Sequence, residues 1–151
     1  MSEKNFFTFT EYMKKEDQLL SAAMEDYVEM IYRLSRETGF TRINELASAL
    51  NIKPPSATKM VQKLAELKLL NYEKYNIITL EPKGARLGRA LLKRHATIEE
   101  FLKLLGVPNT ILLDEVEKIE HTISPGTVKK IDYLVKYLKN HQELLEDIFK
   151  K

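Results

Sequence analysis

The chain of 151 residues is 44% hydrophobic and has no cysteine, which allows one ordinary core or two small ones and excludes disulfides, thiolate nucleophiles and metal sites built on sulfur. Its 24 basic and 22 acidic residues leave a net charge of +2, too small to argue for a nucleic-acid partner by bulk charge, so local placement of charge has to decide. No apolar run reaches spanning length and no charged start leads into an apolar signal core, so a cytoplasmic protein with no membrane partner is expected.

Residues 1–20, with Phe6, Phe7, Phe9 and Tyr12 among polar neighbours, show no sustained period and are read as an N-terminal extension. Ser21 is a plausible N-cap for a helix with Met24, Val28, Ile31, Tyr32 and Leu34 on its apolar stripe and an end near Gly39. Asp26 and Glu29 are three apart on this helix. They fit either an acidic first turn that complements the helix dipole or one pair of metal-binding carboxylates.

From Thr41 to Lys68 the pattern is helix, tight turn, helix. Ile43, Leu46, Ala47 and Leu50 point inward, Ile52 sits in the turn, and Met60, Val61, Leu64 and Leu67 point inward again. Ala47 is small enough for a close helix crossing and Asn51 permissive enough to begin the turn, as a helix-turn-helix requires. Pro54 and Pro55 suit the start of the second helix, where a missing N–H costs nothing. Pro55, Ser56, Thr58, Lys59, Gln62 and Lys63 are left on its outer side. Hydroxyl, amide and cationic donors contact phosphates and base edges, whereas an ordinary solvated face would carry more Glu and Asp.

Two β-favouring runs, 69–75 and 77–80, meet near Asn76. A hairpin after a helix-turn-helix makes a winged helix, with Lys74 and Tyr75 near the wing tip, where they can reach backbone phosphates. A helical pattern then runs from Pro82 to Leu105 and stops at Gly106. His95 follows Leu91 by four and Leu92 by three, which puts it on the inner side as a core residue or a ligand.

Asn109 or Thr110 is expected to cap the next helix, which carries Glu117, Glu120 and His121. Glu117 and Glu120 are three apart and Glu117 and His121 four apart, so two carboxylates and an imidazole share a face. This is half of a metal site or a solvated outer face. Ser124-Pro125 restarts the chain as N-cap and first helical residue, and Val128, Ile131, Leu134, Val135 and Leu138 line the helix that follows. His141 lies in a charged tail and is read as solvent exposed. Two consecutive apolar helices with little left to cover them in so short a chain imply a partner subunit.

The segments 24–32 and 55–64, Tyr72-Glu73-Lys74-Tyr75, Arg94-His95 and 116–121 together resemble the diphtheria toxin repressor family, and within it the manganese transport regulators. The resemblance covers roughly residues 21 to 140. It implies a mainly α protein with a small β-hairpin: a winged helix-turn-helix DNA-binding domain over 21–83, then an all-helical metal-binding and dimerisation domain over 84–151. It further implies a Mn²⁺-responsive repressor of metal-uptake genes that binds double-stranded operator DNA as a metal-loaded homodimer, with no small-molecule substrate. Carried over by position, Asp26, Glu29, His95, Glu117, Glu120 and His121 match the metal ligands of the manganese branch, with two ions per subunit expected and Fe²⁺, Co²⁺, Zn²⁺ or Cd²⁺ able to substitute. The iron-responsive branch has methionine at the position of Asp26 and cysteine at that of Glu117, and an additional SH3-like domain that this chain is expected to lack. Two departures stand out. Residues 1–20 have no counterpart, and the wing carries Asn76-Ile77 where the family favours Arg-Gly, although Ile does not tolerate a left-handed turn.

Oxygen and nitrogen donors without sulfur suit a hard or borderline divalent ion. Because affinity order alone favours later transition metals over Mn²⁺, selectivity has to come from geometry. An iron- or other metal-responsive repressor of the same family is the nearest alternative. A dinuclear carboxylate-bridged metalloenzyme fits poorly, because there is one Glu-Glu-His cluster and no Glu-x-x-His at three-residue spacing, so no catalytic residue is expected. A metal-independent winged-helix regulator would use the acidic clusters only structurally.

Overall fold

The computed structural model describes residues 20–150. The expected extension over 1–20 therefore falls almost entirely outside the described residues. Among these residues are seven α-helices and three short strands, in the order α1 (Ala22–Ser35), β1 (Thr41–Arg42), α2 (Ile43–Leu50), α3 (Pro54–Glu66), β2 (Leu70–Glu73), β3 (Ile77–Leu80), α4 (Pro82–Leu104), α5 (Asn109–Glu120), α6 (Pro125–Lys139) and α7 (Gln142–Phe149). The chain divides into two compact units, the first ending at Arg89 and the second beginning at Ala90, within α4.

In the first unit Ser21 caps α1, its Oγ accepting from the Met24 N–H at 3.3 Å. α1 buries Tyr27, Val28 and Ile31, and α2 buries Ile43, Leu46 and Ala47. α3 contributes Ala57, Val61 and Leu64, and the sheet contributes Leu70 and Ile78. Burying whole aliphatic side chains at about 1.5–3 kcal/mol each is what holds so small a unit together. α2 ends on Asn51 in the left-handed region (φ 54°), with the Ile52 N–H donating to the Ala47 carbonyl at 2.9 Å and the Asn51 N–H to that of Ser48 at 3.2 Å. This is a Schellman end, and it makes the turn between α2 and α3. α3 closes the same way on Lys68 (φ 58°), with the Leu69 N–H donating to the Leu64 carbonyl. The chain turns before Leu67 can face the core, so Leu67 is 44% exposed and not inward as its spacing suggests.

The strands form one antiparallel sheet in the order β1-β3-β2, with Tyr72 opposite Ile78, Glu73 opposite Ile77, and Thr41 opposite Ile78 on the other side. β1 corrects the reading of Thr41 as a helix start. Thr41 is fully buried and donates its hydroxyl proton to Glu45 at 2.9 Å. The left-handed residues of the wing are Tyr75 (φ 66°) and Asn76 (φ 60°), while Ile77 (φ −81°) is already in β3. The conflict expected at Ile77 is thus moved to Tyr75, and Asn76 is held by the Tyr72 hydroxyl, which donates to its Oδ1 at 2.9 Å.

Two glycines let α4 enter the first unit. A Cβ on Gly84 would lie 1.9 Å from the Leu69 carbonyl oxygen, and one on Gly88 would lie 2.5 Å from the Tyr32 Cβ. Only a bare Cα allows either approach.

In the second unit Ile98 and Leu102 of α4 pack with Leu112 and Val116 of α5, flanked by Phe101, Val107, Ile119 and Ile123. α4 ends on Gly106 (φ 81°), with the Val107 N–H donating to the Leu102 carbonyl. Pro108, not Asn109 or Thr110, occupies the cap position of α5, and no side chain caps it. Ser124 caps α6 as expected, accepting from the Thr127 N–H at 3.2 Å. α6 buries Val128 and Val135 and is tied to α4 by ion pairs from Lys93 to Asp132 and from Lys139 to Glu100. His141 is half-buried, not solvent exposed. Its ring stacks on Tyr137 at 4.1 Å, and its Nδ1 lies 2.8 Å from the Tyr137 carbonyl, closing the end of α6.

Candidate metal centre and nucleic-acid interface

In the second unit, His95 on α4 meets the Glu117 to His121 run of α5. Glu117 and Glu120 are three apart, about one helical turn, on α5, and His121 is the residue on which the helix ends. Glu120 is buried, and its Oε2 lies 2.7 Å from the His95 Nδ1. Glu117 Oε1 is 3.6 Å from the same nitrogen, and His121 Nε2 is 3.5 Å from Glu120 Oε1. Glu117, Glu120 and His121 each offer a ligand atom within 4.8 Å of one another. His95 is therefore more than a core residue: the structure joins it to the acidic run of α5.

An ionised carboxylate only accepts, so the His95 Nδ1 carries the proton of this 2.7 Å contact. A carboxylate that fixes the tautomer of a histidine in this way raises the basicity of its other nitrogen. Nε2 lies 3.7 Å from Glu99, a residue that the sequence reading passed over. The signal was available, since Glu99 follows His95 by four on one helix. Glu99 also pairs with Lys103 at 2.9 Å.

Buried Glu120 between two imidazoles, with Glu117 alongside, is costly to keep apart from a cation. The donors are oxygen and nitrogen only, so the set fits a hard or borderline divalent ion. In the first unit Asp26 and Glu29 are half-buried on α1, and Glu29 accepts from the Arg33 guanidinium at 3.4 Å.

The outer side of α3 carries the other candidate surface. Pro55, Ser56, Lys59, Gln62 and Lys63 are exposed, opposite the buried Ala57, Val61 and Leu64. Thr58 is half-buried, and its hydroxyl donates to the Pro54 carbonyl at 3.0 Å, which occupies its proton while leaving lone pairs outward. No acidic residue stands in the first turn, so the positive helix N-terminus is not offset. Lys74 is exposed at the wing and Tyr75 is 84% exposed.

Residues 19–78 match the model of the iron dependent repressor N-terminal DNA binding domain, and residues 81–147 match the iron dependent repressor metal binding and dimerisation domain. The chain is 43% identical over 124 residues to the HTH-type transcriptional regulator MntR of Listeria welshimeri, covering 82% of this chain and 87% of the relative. To the protein of the same name from Geobacillus kaustophilus it is 44% identical over 124 residues, covering 82% and 88%. Among solved structures it is similar to the manganese regulator SloR, with 30% identity, a TM-score of 0.66 and coverage of 76% of this chain and 54% of that one. It is also similar to ScaR with bound Zn²⁺, with 33% identity, a TM-score of 0.64 and coverage of 76% and 54%. The chain spans about half the length of these two solved proteins.

Proposed function

Because the chain belongs to the iron dependent repressor family, a family of metal-dependent DNA-binding regulators and not of enzymes, we propose that it is a Mn²⁺-responsive repressor that binds operator DNA as a homodimer and controls metal-uptake genes. The observation that carries this reading is the joining of His95 to Glu117, Glu120 and His121 around a buried carboxylate, without sulfur. MntR relatives and the manganese regulator SloR support manganese as the cognate ion.

In this reading Asp26, Glu29, His95, Glu117, Glu120 and His121 are the ligands of two ions per subunit. Bound Mn²⁺ supplies positive charge that offsets the repulsion among these carboxylates. His95 is oriented for its part by Glu120, through Nδ1. α1 adjoins the helix-turn-helix within the first unit, so fixing Asp26 and Glu29 restrains the element against which α2 and α3 pack. Ser56, Lys59, Gln62 and Lys63 contact the major groove and its phosphates, and Lys74 and Tyr75 contact the backbone beside it. The exposed Leu113 of α5 and the exposed Tyr133, Leu134 and Tyr137 of α6 supply apolar surface for the partner subunit. The population of DNA-competent dimer shifts on metal binding, and a coupling of about 1–3 kcal/mol changes operator affinity by about five- to 150-fold.

The test is a gel-shift titration on a duplex selected from random sequence with the Mn²⁺-loaded protein, repeated in chelator and with Asp26→Ala. Strong binding that needs Mn²⁺ and is lost in Asp26→Ala is expected. Equal binding by the wild type in chelator overturns the switch, and a stronger response to Fe²⁺ or Co²⁺ at equal free concentration overturns the choice of metal.

A further inference from the structure

The first turns of α4 carry a stripe of positive charge. Lys83, Arg86 and Arg89 are exposed, and at 3.6 residues per turn they lie on the side of the helix away from Gly84 and Gly88. Those glycines seat the opposite side against Leu69 and Tyr32, so the stripe is held facing outward on the first unit. None of the three cations has an ion-pair partner among the described residues. By contrast, Lys93, on the same side of α4 in the second unit, meets Asp132 at 4.0 Å, and Lys103 meets Glu99 at 2.9 Å. Lys83 stands in the first turn, which holds no acidic residue, and a cation there opposes the helix dipole by about 0.3–1 kcal/mol. Like charges one turn apart add a repulsion of a few tenths of a kcal/mol. A solvated face arranged for stability would place Glu or Asp here. A local rule broken with no compensating contact inside the fold points to a contact outside it.

We propose that Lys83, Arg86 and Arg89 form a second phosphate-binding surface for DNA, outside the helix-turn-helix and the wing, which holds the backbone beside the base pairs that α3 faces. The inference rests on the proposed reading of the protein as a DNA-bound repressor. Two guanidiniums and an ammonium have donors only, and they match phosphate oxygens. The stripe spans about 9 Å of helix axis, room for two or three phosphates of one strand at roughly 3.4 Å each. It offers no amide or hydroxyl to read a base edge, so it adds affinity and footprint without sequence preference. An anionic membrane would attract the same cations, but a helix that lies on a membrane interleaves its charges with large apolar side chains. The exposed neighbours here are Pro82 and Ala90.

The experiment uses the full chain in saturating Mn²⁺ and a selected duplex extended by about ten base pairs, one helical turn, on each side. Fluorescence anisotropy at several salt concentrations compares wild type with Lys83→Gln and with the double variant Arg86→Gln, Arg89→Gln. The slope of log affinity against log salt is expected to fall by about 0.9 in the single variant and about 1.8 in the double, with discrimination among single-base variants unchanged. Trimming the flanks is expected to remove these differences. Equal slopes on the long duplex overturn the proposal, and differences that persist on the trimmed duplex overturn the placement beside the α3 site. Both proteins should melt no lower than wild type, because the stripe repels itself; a lower melting temperature with equal slopes would make these cations structural. Equal slopes with lost binding to phosphatidylserine vesicles would give the stripe to a membrane instead of DNA. A wild type that binds no duplex at all overturns the proposed function as well, whereas a wild type that binds and is matched by both variants overturns only the stripe.

Discussion

The Glu120 carboxylate, 2% exposed, accepts from the His95 Nδ1 at 2.7 Å, so the most buried acidic group of the second unit is spent on aiming a histidine. Glu120 has a second oxygen 3.5 Å from His121. One side chain thus touches both imidazoles of the candidate site. A neutral amide at this position keeps the shape and one acceptor but loses the charge that fixes both rings. Glu120→Gln is expected to weaken Mn²⁺ binding at least tenfold, about 1.4 kcal/mol, while the metal-free protein keeps its fold. Glu120→Leu removes the 2.7 Å acceptor of the His95 N–H and is expected to cost the metal-free protein a further 1–3 kcal/mol or so. Isothermal titration with Mn²⁺ and urea unfolding in chelator separate the two effects. Wild-type affinity in Glu120→Gln would remove this carboxylate from the site.

The first turns of α4 depend on two missing side chains. At Gly84 the obstacle to a Cβ is a backbone carbonyl at 1.9 Å, whereas at Gly88 it is the Tyr32 Cβ at 2.5 Å. Neither atom is the far end of a flexible chain, so both substitutions force backbone or helix shifts. Overpacking of this kind costs about 1–3 kcal/mol. Gly88→Ala should fall in that range and Gly84→Ala should exceed it, read as the shift in urea midpoint at constant slope. An alanine tolerated at Gly84 without loss would mean that α4 does not approach Leu69 so closely.

The wing stores strain at Tyr75, a bulky residue with φ 66°. Leaving a non-glycine residue there costs about 1–2 kcal/mol, and the Tyr72 hydroxyl bond to Asn76 helps to hold the turn. Tyr72→Phe is expected to destabilise by about 0.5–1.5 kcal/mol. Tyr75→Gly should be neutral or stabilising, because relief of strain offsets the added freedom of the unfolded chain. Tyr75→Val, with a branch at Cβ, should be worse than either. Thermal melts of the three proteins give the order, and a Tyr75→Gly protein less stable than Tyr75→Val would contradict the left-handed turn.

Periodicity and caps carried most of the helices. Ser21, Asn51, Gly106 and Ser124 each mark a helix end where local chemistry alone sets it. What escaped was set by tertiary contact. β1 is two residues long and exists only because β3 offers a free edge to Thr41 and Arg42. Leu67 has the right spacing for the core but sits on the turn that ends α3. For the candidate site, Glu117, Glu120 and His121 were legible as one helical face. The tie from His95 to Glu120 spans 25 residues of sequence and no spacing rule reveals it, so only the family resemblance placed the two together. Arg94 entered only through the Arg94-His95 pair of the family resemblance, since nothing in the pattern of α4 distinguishes an arginine that reaches His121 from one that faces water.

The outer side of α3 predicts how DNA binding should respond to salt and sequence separately. Lys59 and Lys63 are exposed cations, and Gln62 is an exposed amide on the same side. A lysine that neutralises one phosphate releases about 0.9 counterion, so Lys59→Ala and Lys63→Ala should each lower the slope of log affinity against log salt by about 0.9. Both should weaken binding across all sequences alike. An amide that reads a base edge behaves differently: Gln62→Ala should leave the salt slope unchanged and flatten discrimination at one base pair, by about 1–3 kcal/mol. Fluorescence anisotropy on the selected duplex and its single-base variants, at several salt concentrations in saturating Mn²⁺, measures both quantities at once. If Gln62→Ala changed the slope while Lys59→Ala changed only base preference, the assignment of positioning and reading roles along α3 would be reversed.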